Sequence, residues 1–311
     1  MVSPVSNLMP SYTKVNYLLR LRKQIERRLI IESLQRLVPS KELAEYRYFG
    51  LGSIYYADYV LFHKHLNISR MTSVDNKAAD RIRFEFNKPY GFIDFSLCDC
   101  GTYMRERLDW NEPLFMWLDY DLELAESMVL DVKFAASKAK PGDIIIITVE
   151  ATPPTDLSIQ AFATTFSAYI PRKWQLPDIA EDFTLALREI LVECVRNGLA
   201  NRTTQVAFVP FLSFSYRDTA PMYTLAGTFC AMGSESQVEG RLEGLSYVCF
   251  KPAVIDIQCP LLTPKEKACL DECICAGRFD DARNVTGINE DEASQYARYY
   301  KYYPLYFESA T

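Results

Sequence analysis

From Ala44 to Val149 the chain alternates between short apolar runs and longer segments in which apolar residues recur every three or four positions. The short runs predict buried strands, and the spacing of three and four predicts amphipathic helices. Such alternation is typical of βαβ units, which build a parallel sheet between two layers of helices. The predicted strands span 46–49, 71–74, 91–95, 114–118 and 144–149, and the predicted helices span 55–66, 76–86 and 122–138.

The second half of the chain is less regular. Helical spacing predicts a helical insertion of about residues 152–202, with helices at 156–169 and 179–199. Two further apolar runs, 205–216 and 222–230, flank a polar turn and predict an antiparallel hairpin at one edge of the sheet. The predicted fold is therefore an α/β, Rossmann-like, doubly wound sheet that is mostly parallel and ends in an antiparallel C-terminal hairpin.

Residues 1–40 predict an N-terminal helical extension, followed by one large domain at 41–311. Between Tyr12 and Leu37, apolar residues recur at helical spacing, and Arg and Lys side chains lie between them. We interpret this segment as a basic amphipathic helix that packs on the domain and keeps its charged face in solvent. The alternative is that the charged face binds a partner chain or a nucleic acid.

The composition bounds the class of protein. The chain has 311 residues, of which 49% are hydrophobic, as expected of a globular protein with a full core. Its net charge of −6 disfavours a general nucleic-acid-binding surface. It has no apolar run of roughly 18 residues, so no membrane helix is expected. The first eleven residues lack the charged-then-apolar order of a signal peptide, so we expect a cytoplasmic protein.

The cysteines and tyrosines are expected to serve in packing and not as metal ligands, disulfides or catalytic groups. The chain has nine cysteines, and this odd number argues against a disulfide framework. Neither cysteine cluster has the paired spacing of a zinc site, so we expect reduced thiols and no metal site. A run of tyrosines from Tyr296 to Tyr306 predicts a tail that packs along the domain or at a subunit interface. The sequence therefore leaves open whether the N-terminal helix or this tail binds a second copy of the chain, to form a homo-oligomer, or a partner protein.

One candidate binding site follows the first predicted strand. Gly50 and Gly52 lie in the segment that joins this strand to its helix. Glycines at such a turn let a ligand approach the backbone, and the helix N-terminus beyond them presents unpaired N–H groups. Asp75 follows the next strand, where a carboxylate can accept hydrogen bonds from both ribose hydroxyls. These features predict a nucleoside cofactor. A dinucleotide would require a third glycine at position 55, which is Tyr.

Four segments, in this order, resemble motifs of class I S-adenosylmethionine-dependent methyltransferases. They are the turn Phe49–Ser53, Asp75, the tetrad Leu118-Asp119-Tyr120-Asp121 and the turn Lys140-Pro141-Gly142. The resemblance covers about residues 44–150. It implies a Rossmann-like fold with an antiparallel hairpin and S-adenosylmethionine as the cofactor.

The resemblance also implies a set of cofactor-binding residues after the first three strands. They are Phe49, Gly50, Gly52, Ser53, Asp75 and Asp99. The glycines would border the methionine and sugar, the second-strand acid would bind the ribose, and the third-strand acid would touch the adenine amine. The family usually has an acid where this chain has Tyr48. Each carboxylate has an alternative, because Asp75 could cap the next helix and Asp99 could lie in a surface loop.

Asp119 and Asp121 are the candidate catalytic residues. The resemblance implies that Asp119 faces the transferred methyl group or the substrate. Carboxylates there can orient a hydroxyl or accept its proton. Their alternative is to cap the following helix. They could also bind Mg²⁺, but no third ligand is identifiable, and we expect no metal.

The tetrad lacks the prolines of amino-methylating nucleic-acid enzymes, and the chain has no Pro-Cys dipeptide of the kind that cytosine C5 methylation typically uses. A hydroxyl of a small molecule or a protein is therefore favoured over nucleic acid as the methyl acceptor. The sequence thus predicts an S-adenosylmethionine-dependent methyltransferase of unknown acceptor. The alternative is a catalytically inactive methyltransferase-like protein that acts as a binding or assembly partner. The chain as a whole is similar to bacterial methyltransferase-like proteins, some of them linked to phage defence.

Overall fold

A computed structural model describes residues 19–76, 80–200, 202 and 205–304. Within them, eight strands form one sheet. The strands are β1 Arg47–Leu51, β2 Arg70–Asp75, β3 Ile93–Leu97, β4 Leu114–Glu123, β5 Ile144–Glu150, β6 Val206–Arg217, β7 Pro221–Ala231 and β8 Ile255–Asp256. Their order across the sheet is β3-β2-β1-β4-β5-β7-β6-β8.

Strands β1 to β5 pair in parallel, and β7 is antiparallel to both β5 and β6. The prediction of a doubly wound, mostly parallel sheet with an antiparallel C-terminal hairpin is therefore confirmed. The two-residue strand β8, which pairs in parallel with β6 at the edge, was not predicted. Strand β1 is also longer than predicted, because Gly50 and Leu51 pair with β2 and belong to the strand.

Thirteen helices occur in the described residues. They are α1 Leu21–Leu37, α2 Ser40–Leu43, α3 Ala57–Leu66, α4 Arg81–Asn87, α5 Cys100–Glu106, α6 Glu126–Lys138, α7 Ile159–Thr165, α8 Leu176–Glu181, α9 Phe183–Leu199, α10 Glu235–Leu242, α11 Pro264–Cys275, α12 Phe279–Thr286 and α13 Glu290–Tyr299. A 3₁₀ turn at Tyr300–Tyr302 follows the last helix. Residues 12–18 of the predicted first helix lie outside the described residues.

Helices cover both faces of the sheet. Helices α1, α3, α4, α10, α11 and α13 contribute to the core on one face. Helices α5, α6 and α9 contribute to the core on the other. The connections after β1 and β2 therefore run on one side, and those after β3 and β4 run on the other. The change of side lies between the adjacent strands β1 and β4.

Strand β5 shows why the sheet is buried on both sides. Its run Ile144–Ile147 is completely shielded from solvent except for 1% of Ile145. Ile144 and Ile146 point into one core, and Ile145 and Ile147 point into the other. Successive side chains of a strand point to opposite faces, so an unbroken β-branched run suits a central strand between two helical layers.

Helix α1 is buried on nearly all sides, and the expectation of a charged face in solvent is wrong. Lys23 and Glu26 are 0% exposed, and Arg27 is 2% exposed. The helix N-terminus is capped from a distance, since the two carboxylate oxygens of Asp218 accept hydrogen bonds from the backbone N–H groups of Arg22 and Lys23, at 3.0 Å each. Because Asp218 lies in the turn between β6 and β7, the hairpin fixes α1 against the sheet.

The predicted insertion contains α7, α8 and α9, the last of which packs against α6. Of the tyrosine-rich tail, Tyr296, Tyr299 and Tyr303 are buried, and the Tyr302 hydroxyl donates a hydrogen bond to Glu32 of α1. Tyr306 lies outside the described residues. The tail therefore packs on α1 within the chain, whereas the predicted boundary at residue 40 and the predicted partners stay predictions. Among the described residues, no helix is long and apolar enough to cross a membrane.

Candidate functional site

The candidate site lies at the carboxyl ends of β1 to β4, where the connections change sides. In an open α/β sheet, the crevice at such a switch point is where ligands bind, because the loops on its two sides diverge. Gly52 and Ser53 follow β1, Asp75 ends β2, Asp99 follows β3, and Asp119 comes directly after the buried part of β4. The topology thus gathers the predicted site residues of four strands at one edge.

Gly50 is required by packing inside the protein. A Cβ at this position would lie 2.6 Å from the hydroxyl oxygen of Tyr48 and 3.1 Å from that of Tyr59. The Tyr59 hydroxyl also donates a hydrogen bond to the carbonyl oxygen of Gly50 at 3.0 Å. The glycine that sequence reasoning placed in the turn therefore lies in the strand, over two tyrosine hydroxyls.

Gly52 begins the turn and lies against the end of β2. Its N–H donates a hydrogen bond to the Val74 carbonyl at 2.6 Å, and a Cβ would lie 3.2 Å from the Cβ of Asp75. The hydroxyl of Ser53 accepts a hydrogen bond from the N–H of Tyr55 at 3.4 Å. The turn therefore lies against the end of β2, beside the residue predicted to bind the ribose.

The turn ends at Tyr56, which precedes α3. Its backbone is left-handed, with φ of 45°, a conformation that is costly for a bulky residue. The buried ring holds it there, since the hydroxyl donates a hydrogen bond to the Phe84 carbonyl at 3.2 Å. The sharp change of direction after Gly52 is therefore fixed by packing against α4.

Phe49 lies on the other face of the sheet. It is completely buried, and its ring stacks on Tyr103 of α5 with 5.6 Å between ring centroids. The Tyr48 ring instead packs among Tyr59, Phe62 and Phe115. The side chains of both residues are thus core residues, and the family's usual acid has no counterpart at position 48.

The alternatives to cofactor binding for Asp75 and Asp99, a helix cap and a surface loop, now have answers. Helix α4 begins at Arg81 with Asp80 at its N-cap, so Asp75 does not cap it. Asp99 does cap α5, because its Oδ1 accepts hydrogen bonds from the Thr102 N–H at 3.1 Å and the Thr102 hydroxyl at 3.4 Å. Asp99 is an exposed cap at the site edge, and its contact with a cofactor stays a prediction.

The capping alternative for Asp119 and Asp121 is also wrong. Helix α6 has Ala125 at its N-cap, with no side-chain cap. The pairing of β4 with β5 shifts register between Asp119 and Glu123, and Asp121 is exposed. Asp119 is half-buried and has a partner that the sequence did not suggest. No group of three or more His, Cys, Asp or Glu residues in the described part of the chain is arranged to hold a metal ion.

That partner is Lys23 of α1. Its Nζ lies 3.0 Å from Asp119 Oδ1 and 2.9 Å from Glu26 Oε2. It also lies 4.3 Å from the centroid of the Trp117 ring, a cation–π distance. We call Lys23, Glu26 and Asp119 the α1 charge cluster. Sequence reasoning missed it, although apolar residues on several sides of α1 were a signal that the helix is buried.

The cluster is electrostatically coupled. Burial by itself would lower the pKa of Lys23, but the carboxylates of Asp119 and Glu26 outweigh it and raise that pKa, so the ammonium stays charged. Burial raises the pKa of Glu26, and the nearby Lys23 opposes this. A second pair links α1 to the site, because Arg27 donates a hydrogen bond to Asp58 in the first turn of α3.

A different carboxylate lies beneath the opposite face. Asp131 of α6 accepts a hydrogen bond from the Tyr120 hydroxyl at 3.2 Å, and Arg105 lies 3.7 Å away. Burial, together with nearby Asp99, raises the pKa of Asp131 to about 6. A Cβ at Gly101 would lie 2.1 Å from Asp131 Oδ1. The start of α5 therefore packs directly on this carboxylate.

The strand order and the glycine turn define a Rossmann-like α/β protein with a binding edge at its switch point. Residues 15–311 match the family described as "Putative O-methyltransferase". The chain belongs to this family, which confirms the resemblance to methyltransferases. No curated protein is significantly similar to the chain in sequence.

Several solved structures are similar to this chain. Trm1 from Pyrococcus horikoshii, in complex with S-adenosyl-L-methionine, has 13% sequence identity and a TM-score of 0.46, over 71% of this chain and 58% of its own. The N-methyltransferase NodS from Bradyrhizobium japonicum WM9 has 13% identity and a TM-score of 0.34, over 66% and 96%. An S-adenosylmethionine-dependent methyltransferase from Mesorhizobium loti has 12% identity and a TM-score of 0.38, over 63% and 96%. The chain thus spans little more than half of the Trm1 structure.

Proposed function

We propose that this protein is an S-adenosylmethionine-dependent O-methyltransferase that acts on a hydroxyl of a small molecule or a protein. The observation that carries the proposal is the position of the Gly52 turn against the end of β2, where Asp75 lies, at the switch point of the sheet. Membership of an O-methyltransferase family supports the reaction type.

The residues at this edge fit the cofactor. The Gly52 N–H donates a hydrogen bond to the Val74 carbonyl oxygen, and the missing side chain lets the turn lie against the end of β2, where Asp75 is. Asp75 would accept hydrogen bonds from the ribose hydroxyls, the backbone of Gly52 and Ser53 would border the methionine and sugar, and exposed Asp99 would reach the adenine amine. When bound, S-adenosylmethionine supplies a methyl group on a positively charged sulfur.

Asp119 is the residue proposed to act on the acceptor. Its half-buried carboxylate can orient a hydroxyl and accept its proton. With the cofactor bound, Asp119 would hold the acceptor hydroxyl and take up its proton as the oxygen receives the methyl group. Such a transfer needs mainly orientation and exclusion of water. Trp117 and the buried face of α1 line the inner side of Asp119 and keep water from that side.

Calorimetric titration with S-adenosylmethionine and S-adenosylhomocysteine tests the proposal. We expect micromolar binding, weakened at least about tenfold in Asp75→Ala, because hydrogen bonds to a carboxylate contribute about 1.5–3 kcal/mol. Asp94→Ala is the matched control, since Asp94 is an exposed carboxylate near the start of the neighbouring strand β3, away from the candidate site. Its affinity for both ligands should stay within about twofold of wild type.

A folded protein that binds neither ligand at millimolar concentration would contradict the proposal and favour the non-catalytic alternative. If binding is observed, transfer of a labelled methyl group to phenols, aliphatic alcohols and hydroxyl-containing peptides separates small-molecule from protein acceptors. Label in an amine instead of a hydroxyl would contradict O-methylation.

A further inference from the structure

Lys23 is completely buried, whereas its partner Asp119 keeps 18% of its side chain exposed. Burying an ammonium costs several kcal/mol, which an ion pair only partly offsets, so such pairs are poor sources of stability. A half-buried carboxylate could instead be solvated by water. The pairing is therefore poorly explained by folding alone, and its position at the end of β4 suggests a role at the site.

The geometry supports such a role. Lys23 is fixed from three sides, by Asp119 at 3.0 Å, by Glu26 at 2.9 Å and by the Trp117 ring at 4.3 Å. The backbone of Lys23 is held as well, since its N–H donates a hydrogen bond to Asp218. The ammonium therefore has little freedom, and it fixes the position of Asp119 Oδ1.

We propose that Lys23 is a positioning residue that holds Asp119 at the methyl-transfer site and sets the charge which this site presents to the sulfonium. This inference rests on the proposed function. Asp119 contributes a negative charge and Lys23 offsets part of it, so helix α1 adjusts how strongly the site prefers a cationic ligand over a neutral one.

The two cofactor forms provide the probe. S-adenosylmethionine carries one methyl group and one positive charge more than S-adenosylhomocysteine, so the ratio of their dissociation constants reports the field at the sulfur. One unit charge at about 8 Å, with an effective dielectric constant of about 40, changes such a ratio about fivefold. A purely structural defect weakens both ligands together and leaves the ratio unchanged.

The experiment uses full-length Glu26→Gln protein as the reference, because buried Glu26 could otherwise gain or lose a proton and mask the change in charge. In this background, Asp119→Asn should lower the ratio of the S-adenosylhomocysteine dissociation constant to the S-adenosylmethionine dissociation constant about fivefold. Lys23→Met should raise it about fivefold, and Lys23→Arg should leave it unchanged. Lys64→Met, at an exposed position of α3, is the control and should also leave it unchanged.

Ratios that move in the same direction, or do not move, in Asp119→Asn and Lys23→Met would overturn the inference. If one of the two variants fails to fold, the other decides, because each has its own expected sign. A reference protein and a wild type that bind neither ligand would refute the proposed function itself, and a reference that binds both without any response to charge would refute only the role of Lys23.

Discussion

Two carboxylates near the binding edge are held in contrasting ways on the two faces of the sheet. Asp119 faces the α1 side and has an ammonium at 3.0 Å. Asp131 lies on the α5 and α6 side, where it has a tyrosine hydroxyl at 3.2 Å and a guanidinium only at 3.7 Å. A phenol and a distant cation do not compensate for burial, so the pKa of Asp131 is raised to about 6.

The difference shows what helix α1 contributes. On the α1 face, two buried cations, Lys23 and Arg27, reach Asp119 and Asp58 on elements that border the site. On the other face, the Asp131 carboxylate is held by Tyr120 of β4 and Arg105 of α5. The α1 face thus depends on buried ion pairs, whereas the α5 and α6 face depends on close packing and on pH.

The largest effect should come from breaking the pairing. Lys23→Met leaves Asp119 and Glu26 without their cation in a buried setting, and we expect a loss of about 3–5 kcal/mol in the free energy of unfolding. Urea denaturation followed by circular dichroism measures it. The exposed control Lys64→Met should stay within about 0.5 kcal/mol of wild type. An equally small change in Lys23→Met would mean that the cluster is not tightly coupled.

The packing on the other face can be tested with two glycines. A Cβ at Gly101 would meet Asp131 at 2.1 Å, whereas one at Gly240 in α10 meets nothing within 4 Å. We expect Gly101→Ala to destabilise the protein by about 1–3 kcal/mol, because the carboxylate must move. Gly240→Ala should stabilise it by about 0.5–1 kcal/mol, through helix propensity alone. Thermal unfolding of both variants measures the contrast, and equal shifts would contradict it.

The smallest effect is the pH dependence that arises from Asp131. Its folded pKa of about 6 lies above an unfolded value of about 3.9, so the folded state binds the proton more tightly across that range. The free energy of unfolding should therefore decrease as pH rises from about 4 to about 6. Above about pH 6, the contribution of Asp131 to this free energy should no longer change with pH. Partial exposure limits the change to about 1–2 kcal/mol.

Asp131→Asn isolates this contribution. Asparagine keeps an acceptor for the Tyr120 hydroxyl but cannot titrate, so the decrease between pH 4 and 6 should be smaller than in wild type by about 1–2 kcal/mol. Urea denaturation at pH 4, 5, 6 and 7 gives the comparison. Parallel curves for the two proteins would show that Asp131 does not titrate in this range.

Much of the fold was predictable because its signals are local. The run Ile144–Ile147 predicted a strand buried on both faces, and alternating runs predicted the parallel sheet. Asp75 and Gly52 could be paired from sequence, because consecutive parallel strands end at the same edge. The predicted start of the helix after Asp75 was wrong, since α4 begins at Arg81. The predicted turn at Gly50 was also displaced, because backbone pairing with β2 continues through Leu51.

The sequence by itself determined strands β1 to β7 and the edge of the sheet at which the candidate site residues lie, because periodicity and glycine turns act over a few neighbouring residues. Only the tertiary structure decided the partner of Asp119, since Lys23 lies 96 positions away along the chain. It also decided that α1 is buried, because Asp218 caps this helix from a hairpin nearly 200 residues further on. From sequence alone, charged residues on a helix are predicted to face solvent, because a carboxylate that pairs with them from a distant part of the chain can be identified only in the tertiary structure.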